Sequence, residues 1–148
     1  MALSESLRLP TWPGRAHTPA IAPSRPHVQA WLDAYVAAWK SYDEAEIADL
    51  WTVDALWHRP FTVRATGRQE IVAEWMRERS DFIGVKYDAA YVPLAIDGDV
   101  VVTHGRTVFY DDATGEIDTA YDNVWVLRFG PDGRCSEFHE WYRDHDDD

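Results

Sequence analysis

The stretch "FGPDGRCSEFHEWY", residues 129–142, decides the fold of this chain. "GPDG" is a turn signal, since Gly and Asp accept backbone angles that other residues resist, and the run after it alternates as a strand does. With a period of two, Ser136, Phe138, Glu140 and Tyr142 share one face, while Cys135, Glu137, His139 and Trp141 share the other. Neither face is cleanly polar. A sheet wet on one side shows one apolar and one polar face, so aromatics mixed with ionisable groups on both sides predict two partly covered surfaces. A carboxylate at Glu140 among large rings fits a strand that lines a cavity.

Upstream, β-runs at 85–96, 100–110 and 117–129 lead to this last run at 134–143, separated by "DGD", "DDATGE" and "GPDG". A shorter strand, "ALWHRPF" at 55–61, ends at Pro60, which cannot donate to a ladder and holds Arg59 extended. Trp31, Leu32, Tyr35, Val36 and Trp39 form a one-sided stripe that predicts a helix over 26–41, with Ser24 and an early proline at its start. "DEAE" at 43–46 is a capping box, opening a short helix with Ile47, Leu50 and Trp51 on its apolar side. "TGRQ" at 66–69 follows the same logic and opens a third helix, with Ile71, Val72, Trp75 and Met76 inward. The predicted order is α-α-β-α-β-β-β-β. It describes an α+β domain, three helices on one face of a curved, largely antiparallel sheet.

Residues 1–24 hold four of the eight prolines and no sustained periodicity. They predict an extended arm, whose Leu7, Leu9, Trp12 and Ile21 are apolar enough to lie in a groove of this subunit or a neighbour. Residues 25–143 make the domain, and 144–148 an acidic, solvated tail.

A chain of 148 residues suits one domain with a sizeable core. Its formal charge of −12 argues against nucleic acid and anionic membrane as partners, since both would repel it. The single cysteine, Cys135, excludes a disulfide framework and the paired thiolates of most structural zinc sites, and it fits a reducing cytoplasm. The start lacks the features of a signal peptide, and no run of about eighteen apolar residues suggests a membrane span. Eight tryptophans, seven tyrosines and five phenylalanines exceed what a small core needs, unless the core encloses something. The histidines form no metal-ligand spacing and no glycine-rich phosphate loop follows a strand, so neither a metal nor a nucleotide cofactor is expected.

This order of elements, with "AYVAAWKSYD", "GRQEIV" and "FGPDGRCSEFHEWY" in place, resembles the SnoaL-like branch of the nuclear transport factor 2-like superfamily over about residues 27–143. The resemblance implies a cone whose sheet wraps a pocket closed by the helices, and a homodimer through the sheet's outer face, where Trp141 would pack. It does not imply one activity, because the family holds isomerases, cyclases, epoxide hydrolases, dehydratases and proteins without chemistry. Set against the ketosteroid isomerases, Tyr35 falls at the oxyanion tyrosine, but Arg59 stands at the base before Pro60 and Trp125 at the second acid, so that mechanism is not carried over. Set against the limonene epoxide hydrolases, Glu140 falls at the final-strand acid and Arg106, within one residue, at the arginine. There Val108 stands at the neighbouring acid, and Trp57 and Arg59 replace the water-holding tyrosine and asparagine.

The residues singled out as chemical are Glu140, Arg106 and Tyr35. A carboxylate in an aromatic pocket has its pKa raised by desolvation, which suits proton transfer near neutrality. A pairing with Arg106 would keep Glu140 ionised, either to hold a polar group of a ligand or as a buried structural bridge. Tyr35 would donate to a substrate oxygen. Trp39, Trp57, Arg59, Trp75, Tyr121, Asn123, Trp125, Phe138 and Tyr142 are expected to line the pocket, and the ligand to be an apolar carbonyl or epoxide compound. His58 and Asp122 are expected to point away from it. The two functional readings are a cofactor-free acid–base enzyme and a non-catalytic binding or structural dimer.

Overall fold

Local chemistry starts each helix where the chain turns polar. The computed structural model describes residues 16–59 and 62–145. Helix α1 spans Arg25–Ser41, and the Ser24 side chain accepts the His27 N–H at its start. Helix α2 spans Glu44–Asp49, capped by Asp43, whose carboxylate accepts the Glu46 N–H at 3.0 Å. Here the capping box forms by half, because the Glu46 carboxylate binds the Ser41 hydroxyl instead of reaching back.

The first strand, β1, runs Trp51–Arg59, longer than the sequence suggests, and pairs with a strand that the sequence reading did not contain, β2 at Thr62–Thr66. Helix α3 follows over Arg68–Phe82. Its cap is not Thr66 but Gly67, at φ 89°, and Glu70 accepts the Thr66 N–H at 2.9 Å. Thr66 is therefore the last residue of a strand, and the expected Thr66–Gln69 box does not form. Strands β3 (Tyr87–Asp97), β4 (Val100–Tyr110), β5 (Ile117–Phe129) and β6 (Cys135–Asp144) match the predicted runs within two residues.

The six strands form one open sheet in the order β2-β1-β6-β5-β4-β3, antiparallel except where β1 lies parallel to β6. Register shifts interrupt four of these pairings in addition to the β1–β2 hairpin, and such bulges bend a sheet and deepen its twist. All three helices pack on one face, α1 against β3 and α3 against β1 and β2. This is the α+β arrangement the sequence predicts.

Aromatics fill the space between the layers. Trp31 donates its indole N–H to Leu50 O at 2.9 Å and meets Trp51 and Phe129 edge-on. Tyr35 stacks on Phe138 and touches Trp75 and Trp125 with ring centres within 4.9 Å. Gly105 makes room for one of these rings. A Cβ there would stand 2.1 Å from the Tyr91 ring, so only glycine lets Tyr91 cross β4 and stack on Trp125 at 4.1 Å.

Of the expected arm, Leu7, Leu9 and Trp12 lie outside the described residues, as do Pro60 and the last three residues of the tail. Nearer the domain, Ile21 bridges to Phe129, and Thr18 donates its N–H and hydroxyl to Asp54, both at 2.6 Å. No helix among the described residues is long and apolar enough to cross a membrane.

Candidate functional site

Between the inner face of the sheet and helices α1 and α3 lies a cavity of about 480 Å³. Tyr35 and Trp39 reach it from α1, Trp75 from α3, Trp57 and Arg59 from β1, Tyr121, Asn123 and Trp125 from β5, and Glu140 and Tyr142 from β6. These ten are residues the sequence analysis places there. Two others are not. Phe138 is fully buried behind Tyr35 and contributes packing rather than lining surface.

Arg106 is the larger correction. On β4 the inward positions are Val101, Thr103, Gly105 and Thr107, so Arg106 falls on the outer face with a side chain 58 % exposed. There it donates to Asp122 at 2.9 Å, which also contacts His145. Asp122 thus points outward as expected. The Arg106–Glu140 pair does not form, and with it goes the acid–arginine arrangement implied by the epoxide hydrolases.

Glu140 is held by its neighbours on β5. Trp125 stands directly opposite in the ladder, and its indole N–H donates to Glu140 Oε2 at 2.8 Å. The Asn123 amide donates to the same oxygen at 3.2 Å. Oε1 makes no hydrogen bond among the described residues. Its nearest charge is the Arg59 Nε at 4.0 Å, an electrostatic contact too long for a hydrogen bond, and Arg59 is 38 % exposed with its guanidinium near the Tyr142 ring. Burial pushes the Glu140 carboxyl above its ordinary value, while the Trp125 and Asn123 bonds and the Arg59 charge pull the other way; burial prevails.

The Tyr35 hydroxyl has no hydrogen-bond partner among the described residues. Burial, and then the nearby Glu140 charge, hold its pKa well above that of a free phenol, so it stays protonated and can only donate or accept a hydrogen bond. Tyr91, by contrast, shares a 2.7 Å hydrogen bond with Thr107. Among the described residues the Trp57 and Trp75 indole N–H groups and the Asn123 Oδ1 are buried without hydrogen-bond partners, which leaves two donors and an acceptor open on residues of the wall.

Part of the lining is not foreseen from the sequence: Tyr42, Glu78, Asp81, Phe82, Tyr91, Thr107, Phe109 and Asp118 among others. For α3 the signal was present, because Ile71, Trp75, Glu78 and Phe82 continue one helical stripe at spacings of four, three and four. On the opposite face of the sheet His58 is buried, its ring 4.7 Å from that of His139, and burial lowers the pKa of both. Among the described residues no three His, Cys, Asp or Glu side chains converge as a metal site requires.

Comparison with solved structures finds the same fold repeatedly. A SnoaL-like protein of unknown function from Burkholderia thailandensis superposes with a TM-score of 0.60 at 18% identity, covering 84% of this chain and 99% of that one. An LEH-like epoxide hydrolase from M. tuberculosis gives 0.60 at 15% identity over 82% and 81% of the two chains. A ketosteroid isomerase-like protein from Erwinia carotovora atroseptica gives 0.55 at 20% identity over 78% and 93%. A search of curated protein sequences finds no match. The family pattern described as the SnoaL-like domain matches residues 32–138, most of the chain, from within α1 to the fourth residue of β6, and the chain therefore belongs to the SnoaL-like family within the nuclear transport factor 2-like superfamily.

Proposed function

We propose that this protein is a cofactor-free acid–base enzyme, of the isomerase kind, acting on an apolar carbonyl compound bound in the cavity. One observation carries the reading: Glu140 has one oxygen fixed by two N–H donors and the other without a hydrogen bond among the described residues, inside an aromatic cavity whose burial raises its pKa. A carboxylate held this way presents a single basic atom in a set direction, with a proton affinity nearer to neutrality than in water. In the proposed step Glu140 Oε1 takes a proton from the carbon beside the carbonyl. The C–H electron pair moves into an enolate, the developing oxygen charge accepts the Tyr35 O–H, and Glu140 returns the proton either to the other face of the same carbon or, where a β,γ double bond extends the enolate to a dienolate, to the γ carbon. Tyr35 keeps its own proton throughout.

Two relatives of this chemistry are supported less. The ketosteroid isomerase set needs a second donor at Trp125, but that N–H is already committed to Glu140. The epoxide hydrolase set needs the arginine that Arg106 does not supply. The test is solvent exchange. A panel of apolar ketones incubated with the protein in D₂O is expected to gain deuterium beside the carbonyl for at least one ketone that quenches tryptophan fluorescence on binding. Tight binding without exchange across the panel would overturn the enzyme and leave a binding module.

A further inference from the structure

Strand β6 carries two largely buried carboxylates, and each meets an arginine in a different way. On the outer face Glu137 Oε2 lies 2.9 Å from Arg128 Nε, a direct ion pair. On the cavity side Glu140 Oε1 lies 4.0 Å from Arg59 Nε. That spacing separates two effects. The attraction between charges falls only as the inverse of distance, so about 70 % of it survives a stretch from 2.9 to 4.0 Å, whereas the hydrogen bond is lost outright. Arg59 therefore acts on the charge of Glu140 without occupying the lone pair that takes the proton.

The placement is built into the sheet. Strand β1 runs parallel beside β6 with Trp57 against Phe138 and His58 against His139, so Arg59 and Glu140 come next, both on the cavity lining. The Arg59 Nε is buried without a hydrogen-bond partner among the described residues, and the guanidinium lies 5.8 Å from the centre of the Tyr142 ring. Around Glu140 stand Tyr35 from α1 and Tyr91 from β3, both kept protonated by burial, and the neutral Trp125 and Asn123 from β5. Glu78 from α3 adds a like charge, which it shares with Arg64 at 3.4 Å, and Asp81 and Asp118 on the cavity wall have the same sign again. Among the described residues Arg59 is the one cation on the lining. Burial and these neighbours alone would push a carboxyl toward its protonated form, which is no base.

We infer that Arg59 is a positioning residue for the proposed reaction: it keeps Glu140 ionised across the gap and so sets the pH above which the site can take a proton. The inference rests on the proposed function for the reaction itself, but the state of Glu140 can be read without any substrate. It also accounts for the residue type. Arg59 stands where the resemblance to the ketosteroid isomerases would put a carboxylate base, and a second carboxylate at that distance would favour the protonated form of Glu140 instead.

The experiment uses the full chain, isotope-labelled, and follows the Glu140 carboxyl carbon by NMR as pH is varied, with Glu140→Gln to assign the resonance. In Arg59→Met the midpoint should rise by about one pH unit, the low end for an opposite charge at this distance, because Arg59 is 38 % exposed. Arg59→Lys keeps a charge and should restore at least half of that change, which a merely structural role would not do. Arg106→Met, on the outer face, should leave the midpoint in place. For a ketone that exchanges in D₂O, the acid limb of the exchange rate should move to higher pH by the same amount. An unmoved or lowered midpoint in Arg59→Met, or one that rises equally in Arg59→Lys, would overturn this inference and, with exchange intact, leave the proposed function standing. A raised midpoint in Arg59→Met with no exchange from any ketone would uphold the hold of Arg59 on Glu140 and overturn the proposed function instead.

Discussion

Replacing Glu140 by Gln separates the chemical role of this residue from its structural one. The amide oxygen of Gln can accept both the Trp125 and Asn123 N–H groups as Oε2 does, and the side chains are nearly isosteric. What disappears is the charge. Its loss removes a desolvation cost and the contact with Arg59, which at 4.0 Å and 38 % exposure is worth little once solvent screening is counted. Stability should therefore change by no more than about 1 kcal/mol, roughly 3 °C in melting temperature for a domain of this size. Glu140→Leu is different: it leaves the Trp125 N–H, on a residue 1% exposed, without an acceptor, at a cost of about 1–3 kcal/mol. Deuterium exchange by the Gln variant should fall by ~10²–10⁴-fold, the usual contribution of a positioned proton carrier.

The same pair of proteins has a pH signature. A carboxyl with a folded pKa above its ordinary value of 4.5 binds its proton more tightly folded than unfolded, so its stabilising contribution is present below 4.5 and is lost as pH rises through the raised value. Gln cannot titrate. Melting of the variant, relative to wild type, should improve as pH rises from 4.5 and then level off. Full exchange activity in Glu140→Gln would refute the assignment of the proton carrier. A stability loss as large as that of Glu140→Leu would refute the reasoning about the amide and make Glu140 a structural residue.

Tyr35→Phe removes a hydroxyl without a partner, so the fold should melt as wild type while exchange falls on the order of 10²-fold; unchanged exchange would remove the oxyanion donor. Arg106→Ala lies on the outer face and should alter neither melting nor exchange, and a loss of exchange would restore the pairing that the β4 register denies. Gly105→Ala forces a methyl against the Tyr91 ring and the Ala90 carbonyl and should destabilise by about 1–3 kcal/mol in chemical denaturation; a neutral result would mean that the Tyr91–Trp125 stack is not required. Val92, His104, Val124 and Trp141 form one cross-strand row on the outer face, with Val92 and Val124 exposed, and we expect two copies to bury it as a dimer. Sedimentation at micromolar concentration showing only 17.0 kDa would count against that.

The four long strands were legible because a turn with few conformational alternatives bounds each of them, and the α1 stripe because five large apolar residues share one face. β2 was not. Its five residues, "TVRAT", end in a threonine, which serves equally as a β-branched strand residue and as a helix cap, and the two roles compete for one position. Tertiary pairing with β1 decided for the strand. The face of β4 was hidden for a related reason. Val101, Thr103, Gly105 and Thr107 on one parity and Val100, Val102, His104, Arg106 and Val108 on the other are both mixed, so alternation alone does not choose; the former are inside, since Gly105 makes room for Tyr91 and Thr107 satisfies its hydroxyl.

The partner of Glu140 shows how far local reasoning reaches. The "GPDG" turn ties β5 to β6 as a hairpin, and once its register is set Leu127 faces Phe138, Trp125 faces Glu140 and Asn123 faces Tyr142. An indole N–H opposite the buried carboxylate thus depends on a bulge beside that turn, between Phe129–Cys135 and Arg128–Glu137; a straight count from the turn would have set His139 there and missed it by one residue. Arg106 was instead placed by analogy, two strands away, where a slip of one residue reverses the face. Arg59 is different again, because β1 joins β6 as a parallel neighbour across nearly the whole length of the domain. No turn fixes that register. Arg59 could be placed on the pocket wall from its strand parity with Trp57, while its position beside Glu140 is fixed only once the chain has folded.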